Sequence, residues 1–211
     1  MAPSLLLALA IAAAPAPEPS GAPPAEEAHA ERLDGWRHAI GIGVHSAQLS
    51  SKEGSQYTFH SGSIGYLGSV GVTGPFLQAF FLVPLQARQD GEVYSTATYY
   101  RQRRGADLLL GAEHRWALGP GLELEAGPGL HGTFIYLPGK EGYRDFSAFP
   151  LGLGASGVLR WATRAERLRR TVTIDGYASV AYDFRDPLHA DDLAHGFAVR
   201  VGVSMGLGAV R

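Results

Sequence analysis

From Trp36 onward the chain alternates apolar and polar residues with a period of two, and no segment carries a 3.6-residue apolar stripe. The last segment shows this most plainly. Phe197, Val199, Val201, Val203, Met205, Leu207 and Ala209 alternate with Ala198, Arg200, Gly202, Ser204, Gly206 and Gly208. Earlier, Phe149, Leu151, Leu153, Ala155, Gly157, Leu159 and Trp161 form a similar row, as do Val172, Ile174, Gly176, Ala178, Val180 and Tyr182. Successive side chains of a strand point to opposite faces, so each stretch reads as a strand with one apolar face. Eight strands are predicted, at about 36–48, 61–73, 76–88, 107–118, 121–136, 148–163, 169–184 and 195–209. Long polar connections at 49–60, 89–106, 137–147 and 185–194 alternate with short ones at 74–75, 119–120 and 164–168. That is an up-and-down meander with one elaborate end and one plain end. Residues 92–100 alternate as well, so the second long loop reads either as a hairpin extension or as a barrel strand. Pro84 and Pro128 fall inside strands, where a missing donor implies a bulge or a strand end.

The charges decide which face meets which solvent. Arg37, Glu113, Arg115, Glu123, Glu125, Arg160, Asp175, Asp183 and Arg200 all fall on the row of glycines and serines, with His45 and His131 beside them. Small residues mixed with balanced charge suit the inside of a narrow barrel, where ions must pair. The opposite row carries almost no charge, as a lipid-facing surface requires; His38 and His114 are its polar interruptions. Phe80 and Leu82 leave the third strand ambiguous, because they share the inward parity. The aromatic residues sort by height. Trp36, Trp116 and Trp161 fall at the short-turn end, whereas Tyr136, Phe149, Tyr182 and Phe197 fall at the long-loop end. Two aromatic girdles are what two membrane interfaces select.

Composition changes the picture at three points. The 28 glycines among 211 residues and the 18% share of charged residues make a poor soluble surface but fit a crowded lumen inside an uncharged exterior. Lys52 and Lys140 are the only lysines, against sixteen arginines, and both fall in predicted long loops. A net charge of −2 argues against nucleic acid as a partner, and the absence of cysteine excludes thiol catalysis and Cys-type zinc sites. At the N-terminus, Leu5–Ala14 is a ten-residue apolar run followed by small residues, the pattern of an export signal and too short to span a bilayer. The expected organisation is a signal peptide over 1–16, a disordered Pro/Ala-rich linker over 17–35 and a barrel over 36–210.

Eight strands, both termini on the short-turn side and a polar lumen resemble the OmpA/OmpX-like outer-membrane barrels, over about residues 36–210. The expected fold class is all-β: an eight-stranded antiparallel up-and-down transmembrane β-barrel with short periplasmic turns and long extracellular loops. The resemblance implies the outer membrane of a Gram-negative bacterium, no cofactor, and partners among outer-membrane lipid, lipopolysaccharide and extracellular ligands of the four loops.

Candidate chemistry is sparse. Outer-membrane lipid A deacylases pair a histidine with a serine two positions along, and none of the eight histidines here has one. The nearest match is His131-Gly132-Thr133, which parity places in the lumen. Glu113, Glu123, Glu125 and His131 could serve as acid–base or metal groups, but a structural ion-pair cluster with Arg37, Arg115, Arg160 and Arg200 is the simpler expectation. His189, Asp191, Asp192 and His195 offer cation-binding side chains in the last loop. Arg101, Arg103 and Arg104, beside Tyr99 and Tyr100, have the chemistry to hold a lipid phosphate. The expected role is structural or interactive display of the loops, with a lipid-modifying enzyme on the same barrel as the alternative.

Overall fold

The computed structural model describes residues 36–165, 170–187 and 193–209. The expected signal peptide and linker, the last residue of the expected barrel, most of the expected short turn 164–168 and half of the last loop lie outside them. The strands are β1 (Trp36–Ser51), β2 (Gln56–Val70), β3 (Thr73–Gln89), β4 (Glu92–Ser95), β5 (Arg104–Gly119), β6 (Leu122–Leu137), β7 (Phe146–Ala148), β8 (Leu151–Ala165), β9 (Arg170–Arg185) and β10 (Leu193–Ala209), with a single helical turn α1 (Thr96–Tyr99) after β4. Eight long strands pair antiparallel in the order β2-β1-β10-β9-β8-β6-β5-β3, and β3 returns to β2 to close the barrel. Closure leaves none of these long strands at a sheet edge, which is how a barrel satisfies its backbone without water.

The predicted strands are present, but several boundaries move. The expected loop 49–60 contracts to the turn 52–55, because β1 and β2 keep pairing out to Ser50 and Gln56. Ser50, Ser51, Gln56 and Thr58 look loop-like only because the ladder there has left the apolar layer. The first short turn is Gly71-Val72 and not Gly74-Pro75; Gly71 supplies the left-handed φ of 73°. Gly121, at φ 74°, does the same for the second turn, which is shifted by one residue to Pro120-Gly121. Residues 92–100 are a hairpin extension: β4 folds back on β3 through the left-handed pair Asp90-Gly91, and α1 follows. Within 137–147, β7 begins to pair with β6. Pro84 sits at a bulge, where Ser61 pairs with Pro84, His60 pairs with Gln86, and Leu85 is left over. Opposite Pro128 the β5–β6 ladder is interrupted between Gly111–Gly129 and His114–Ala126.

Parity sorts the two surfaces. Ile40, Ile42 and Val44 stand in register with Met205, Val203 and Val201, all between 44 and 68% exposed. The apolar belt continues through Ile174 and Val180, Leu153 and Leu159, Leu130, Leu108 and Leu110, Phe81 and Ile64 around the circumference. In water, so continuous an apolar surface would drive association; in hydrocarbon it needs no cover. Trp116 and Trp161 are exposed at the short-turn end, and Tyr136, Tyr182 and Phe197 at the other. His38 and His114 are each satisfied across the sheet, His38 Nδ1 at 2.5 Å from Tyr66 Oη and His114 Nδ1 at 2.5 Å from Thr73 Oγ1. Both lie at the short-turn end, close to the tryptophans. The long strands have 15–17 residues, where about 9–11 suffice to cross a bilayer. The surplus lies on the long-loop side.

Candidate functional site

Among the described residues, chemistry-bearing side chains gather in the lumen, where they form four layers. All nine residues of the expected ion-pair cluster are buried and face inward, but they divide into two groups.

The lower group, near the short turns, centres on Glu125. Three guanidiniums converge on its carboxylate: Arg37 Nη1 at 3.1 Å, Arg115 Nε at 2.9 Å, and Arg160, which donates from Nη1. Arg37 also pairs with Glu123. Arg160 grips Asp175 with two donors, at 2.8 and 3.1 Å. Arg115 Nε lies 3.7 Å from Glu113, and its Nη2 donates to Ser69 at 2.5 Å. Each guanidinium therefore keeps a second carboxylate besides Glu125. Replacing Glu125 by glutamine is expected to cost only roughly 1–3 kcal/mol, read as a shift of the urea midpoint in lipid vesicles; a larger loss than that of the upper-group variant described in the Discussion would contradict the division.

Above it lies a layer with fewer charges. Phe80 and Tyr177 meet at 5.3 Å, with Leu67, Leu82 and Val158 around them. The Tyr177 ring takes the space left by missing side chains: a Cβ on Gly41 would lie 2.9 Å from the ring, and one on Gly43 2.7 Å from the hydroxyl. These lumen glycines are the counterpart of one large residue. Phe80 also resolves the ambiguity of the third strand, because its ring receives Arg200 at 4.0 Å. The inward row of β3 is Phe76, Gln78, Phe80 and Leu82.

The upper group centres on Asp107, which is not among the nine residues of the expected cluster. Arg200 donates to its Oδ1. Oδ2 lies 2.8 Å from His131 Nε2, 3.2 Å from His45 Nε2 and 3.0 Å from the Thr133 hydroxyl, which donates to it. The other nitrogen of His131 meets Asp183 at 2.7 Å. Gln78 accepts from Arg200 at 2.6 Å and donates to Ser156. Asp107 shares its parity with Glu113 and Arg115, and that was the available signal.

A fourth layer corrects the expectation of a polar lumen throughout. Beyond Asp107, Leu49, Phe59, Ala87, Ile135, Leu137 and Ala148 fill the barrel at its long-loop end, with Tyr57, Tyr94, Tyr100 and Phe146 packed on them. Among the described residues, the lumen is thus occupied from one end to the other, as eight strands require.

As chemistry, the upper group comes nearest to a catalytic set. His131 Nε2 is 3.2 Å from Thr133 Oγ1, and its Nδ1 faces Asp183. Thr133 is fully buried, however, and Asp107 is the closer partner of both groups. The hydroxyl donates to a carboxylate instead of facing a substrate. Among the described residues no group of three acidic or imidazole side chains is arranged to hold a metal ion. Of the last-loop cation candidates, His195 stacks on Tyr182 at 6.4 Å, and His189, Asp191 and Asp192 lie outside the described residues. The arginine–tyrosine run is split. Arg101 donates through Nε to Gly139 O at 2.9 Å and ties two loops together, whereas Arg104 is exposed on the outward face of β5.

No family model matches the chain, and no curated protein matches it either. Among solved structures, it resembles the crystal structure of Neisserial surface protein A, at 12% identity and a TM-score of 0.50, over 82% of this chain and 96% of that one. The solid-state NMR structure of the outer membrane protein AlkL in DMPC bilayers overlaps at 12% identity and a TM-score of 0.35, over 92% of this chain and 96% of AlkL. The first of these likenesses, together with the closed eight-stranded sheet, shows the fold: that of the eight-stranded outer-membrane β-barrels.

Proposed function

We propose that the chain is an outer-membrane protein of a Gram-negative envelope that acts through its exterior and its loops, as a structural or interaction protein and not as a channel or an enzyme. The filled lumen carries this reading. Among the described residues, four stacked layers of side chains fill the lumen, which favours the lipid-facing wall and the long-loop end as the surfaces that act. The histidine–threonine pair that would favour the lipid-modifying alternative is committed to Asp107 and sealed inside. In this topology the turns at 71–72 and 120–121 face the periplasm, and the loops at 52–55, 90–103 and 138–145, with Asp186 and Pro187 at the start of the last loop, face outward. Protease added to intact cells should cut within these loops and spare the two short turns, and lipid A from the same cells should keep the acyl composition found without the protein. Cleavage at the short turns would overturn the topology. A changed acyl pattern would overturn the non-catalytic role.

A further inference from the structure

The belt of large aliphatic side chains thins where small residues reach the outer face, and one such place lies toward the long-loop end. On the outward face of β3, β5 and β6, toward the long-loop end, Ala106 lies between Phe81 and Phe134, and Leu108, one step down β5, lies between Ala79 and Gly132; with Phe149 these residues line a groove of about 440 Å³. The walls are built. Phe149 packs edge-to-face on Phe134, with centroids 6.2 Å apart, and a Cβ on Gly132 would meet Leu151 at 2.8 Å and the Phe149 ring at 3.5 Å.

What stands above the groove identifies its occupant. The β5–β6 register gives three successive outward pairs: Leu108 with Gly132, Ala106 with Phe134, and Arg104 with Tyr136. The column therefore runs from apolar floor to aromatic wall to a cation beside a phenol, and Tyr136 belongs to the aromatic girdle at the interface. Arg104 is exposed, whereas its neighbour Arg101 is engaged with the Gly139 carbonyl. A guanidinium beside a hydroxyl matches a phosphate, and an apolar groove directly beneath matches an acyl chain.

We propose that this groove binds a phosphate-bearing membrane lipid of the leaflet on the long-loop side. One acyl chain lies in the groove over Ala106, between Phe81 and Phe134, and the phosphate is held by Arg104 with the Tyr136 hydroxyl donating to one of its oxygens. The assignment of that leaflet rests on the outer-membrane reading above; the site itself rests on the register.

The test is lipid retention by the purified barrel in detergent, counted by native mass spectrometry with diphosphoryl lipid A and its dephosphorylated form as probes. The wild-type chain should retain one diphosphoryl lipid, and the dephosphorylated form about tenfold less. Arg104→Gln should hold both forms equally weakly, while Ala106→Phe, which fills the groove, should hold neither. Ala79→Leu is the second groove-filling variant should Ala106→Phe fail to fold, and the faster gel mobility of unheated protein reports folding for each. Equal retention by the wild type and a folded groove-filling variant would overturn the site, as would equal retention of the two lipids by the wild type. A folded, heat-modifiable barrel that retains no lipid overturns the site alone. A chain that is soluble without detergent overturns the outer-membrane reading and the site with it.

Discussion

Replacing Asp107 by asparagine is expected to lower the stability of the barrel by about 3–5 kcal/mol, the usual cost of leaving one partner of a buried ion pair uncompensated. Asp107 is the only carboxylate that Arg200 meets among the described residues. Without its charge, the guanidinium has Gln78 and the face of Phe80, neither of which carries a full negative charge. His45 loses its acidic neighbour as well, and His131 keeps only Asp183. The contrast with Glu125 is the informative part. Glu125 touches more guanidiniums, but each of them retains another carboxylate, so counting contacts would rank the two variants in the wrong order. Pairing Asp107→Asn with Arg200→Met should recover most of the loss, because removing both charges also removes the desolvation cost. Urea titration in lipid vesicles, followed by the mobility difference between folded and unfolded chain, measures all four chains of this cycle. A double variant as unstable as Asp107→Asn alone would mean that the loss has another origin.

The second large effect is expected on the opposite face. Ile42 lies midway between the tryptophan end and the Phe197 end of its strand, between Val203 on one side and Ile64 on the other. An arginine there has no polar neighbour on the wall and sits near the bilayer midplane, so Ile42→Arg should cost about 2–4 kcal/mol in a membrane. The same change at His38, four residues nearer the short turns, should cost about 0–1 kcal/mol, since the side chain there reaches the interface. Equal costs at the two positions would mean that the wall does not face hydrocarbon. The pair of substitutions tests depth, whereas the lumen variants test packing.

Much of this architecture was legible because side-chain parity in a strand is a covalent consequence of the backbone. Arg37, Glu113, Arg115 and the other six charges fall on one row wherever the strands begin, so errors of a few residues at strand ends did not disturb their sorting. Those same errors hid what lies beyond the ends. Leu49, Phe59 and Leu137 lie in the extensions past the apolar belt, whereas Asp107 opens an expected strand and was passed over because it follows a run of arginines and glycine that resembles a loop. The apolar plug was therefore cut away together with the ladder that carries it. Partner choice was not legible at all. Arg37 and Glu123 are 86 residues apart, and their meeting depends on strand tilt and stagger, which no local pattern encodes. Phe80 is similar: an inward phenylalanine in a charged row makes sense only once Arg200 is seen lying on its ring.

The barrel is inverted, with an apolar outer wall and its charges within, and the absence of cysteine allows that to be measured one position at a time. Single cysteines at Ile40, Ile42 and Val44, and at Ala39 and Ala47 of the same strand, can each carry a spin label in reconstituted vesicles. The three even-numbered labels should be relaxed strongly by oxygen dissolved in the lipid and hardly at all by a water-soluble nickel complex, while Ala39→Cys and Ala47→Cys should respond weakly to oxygen. Labels at Ile40, Ile42 and Val44 that respond chiefly to the nickel complex, or a strand with no alternation, would contradict the account at its root.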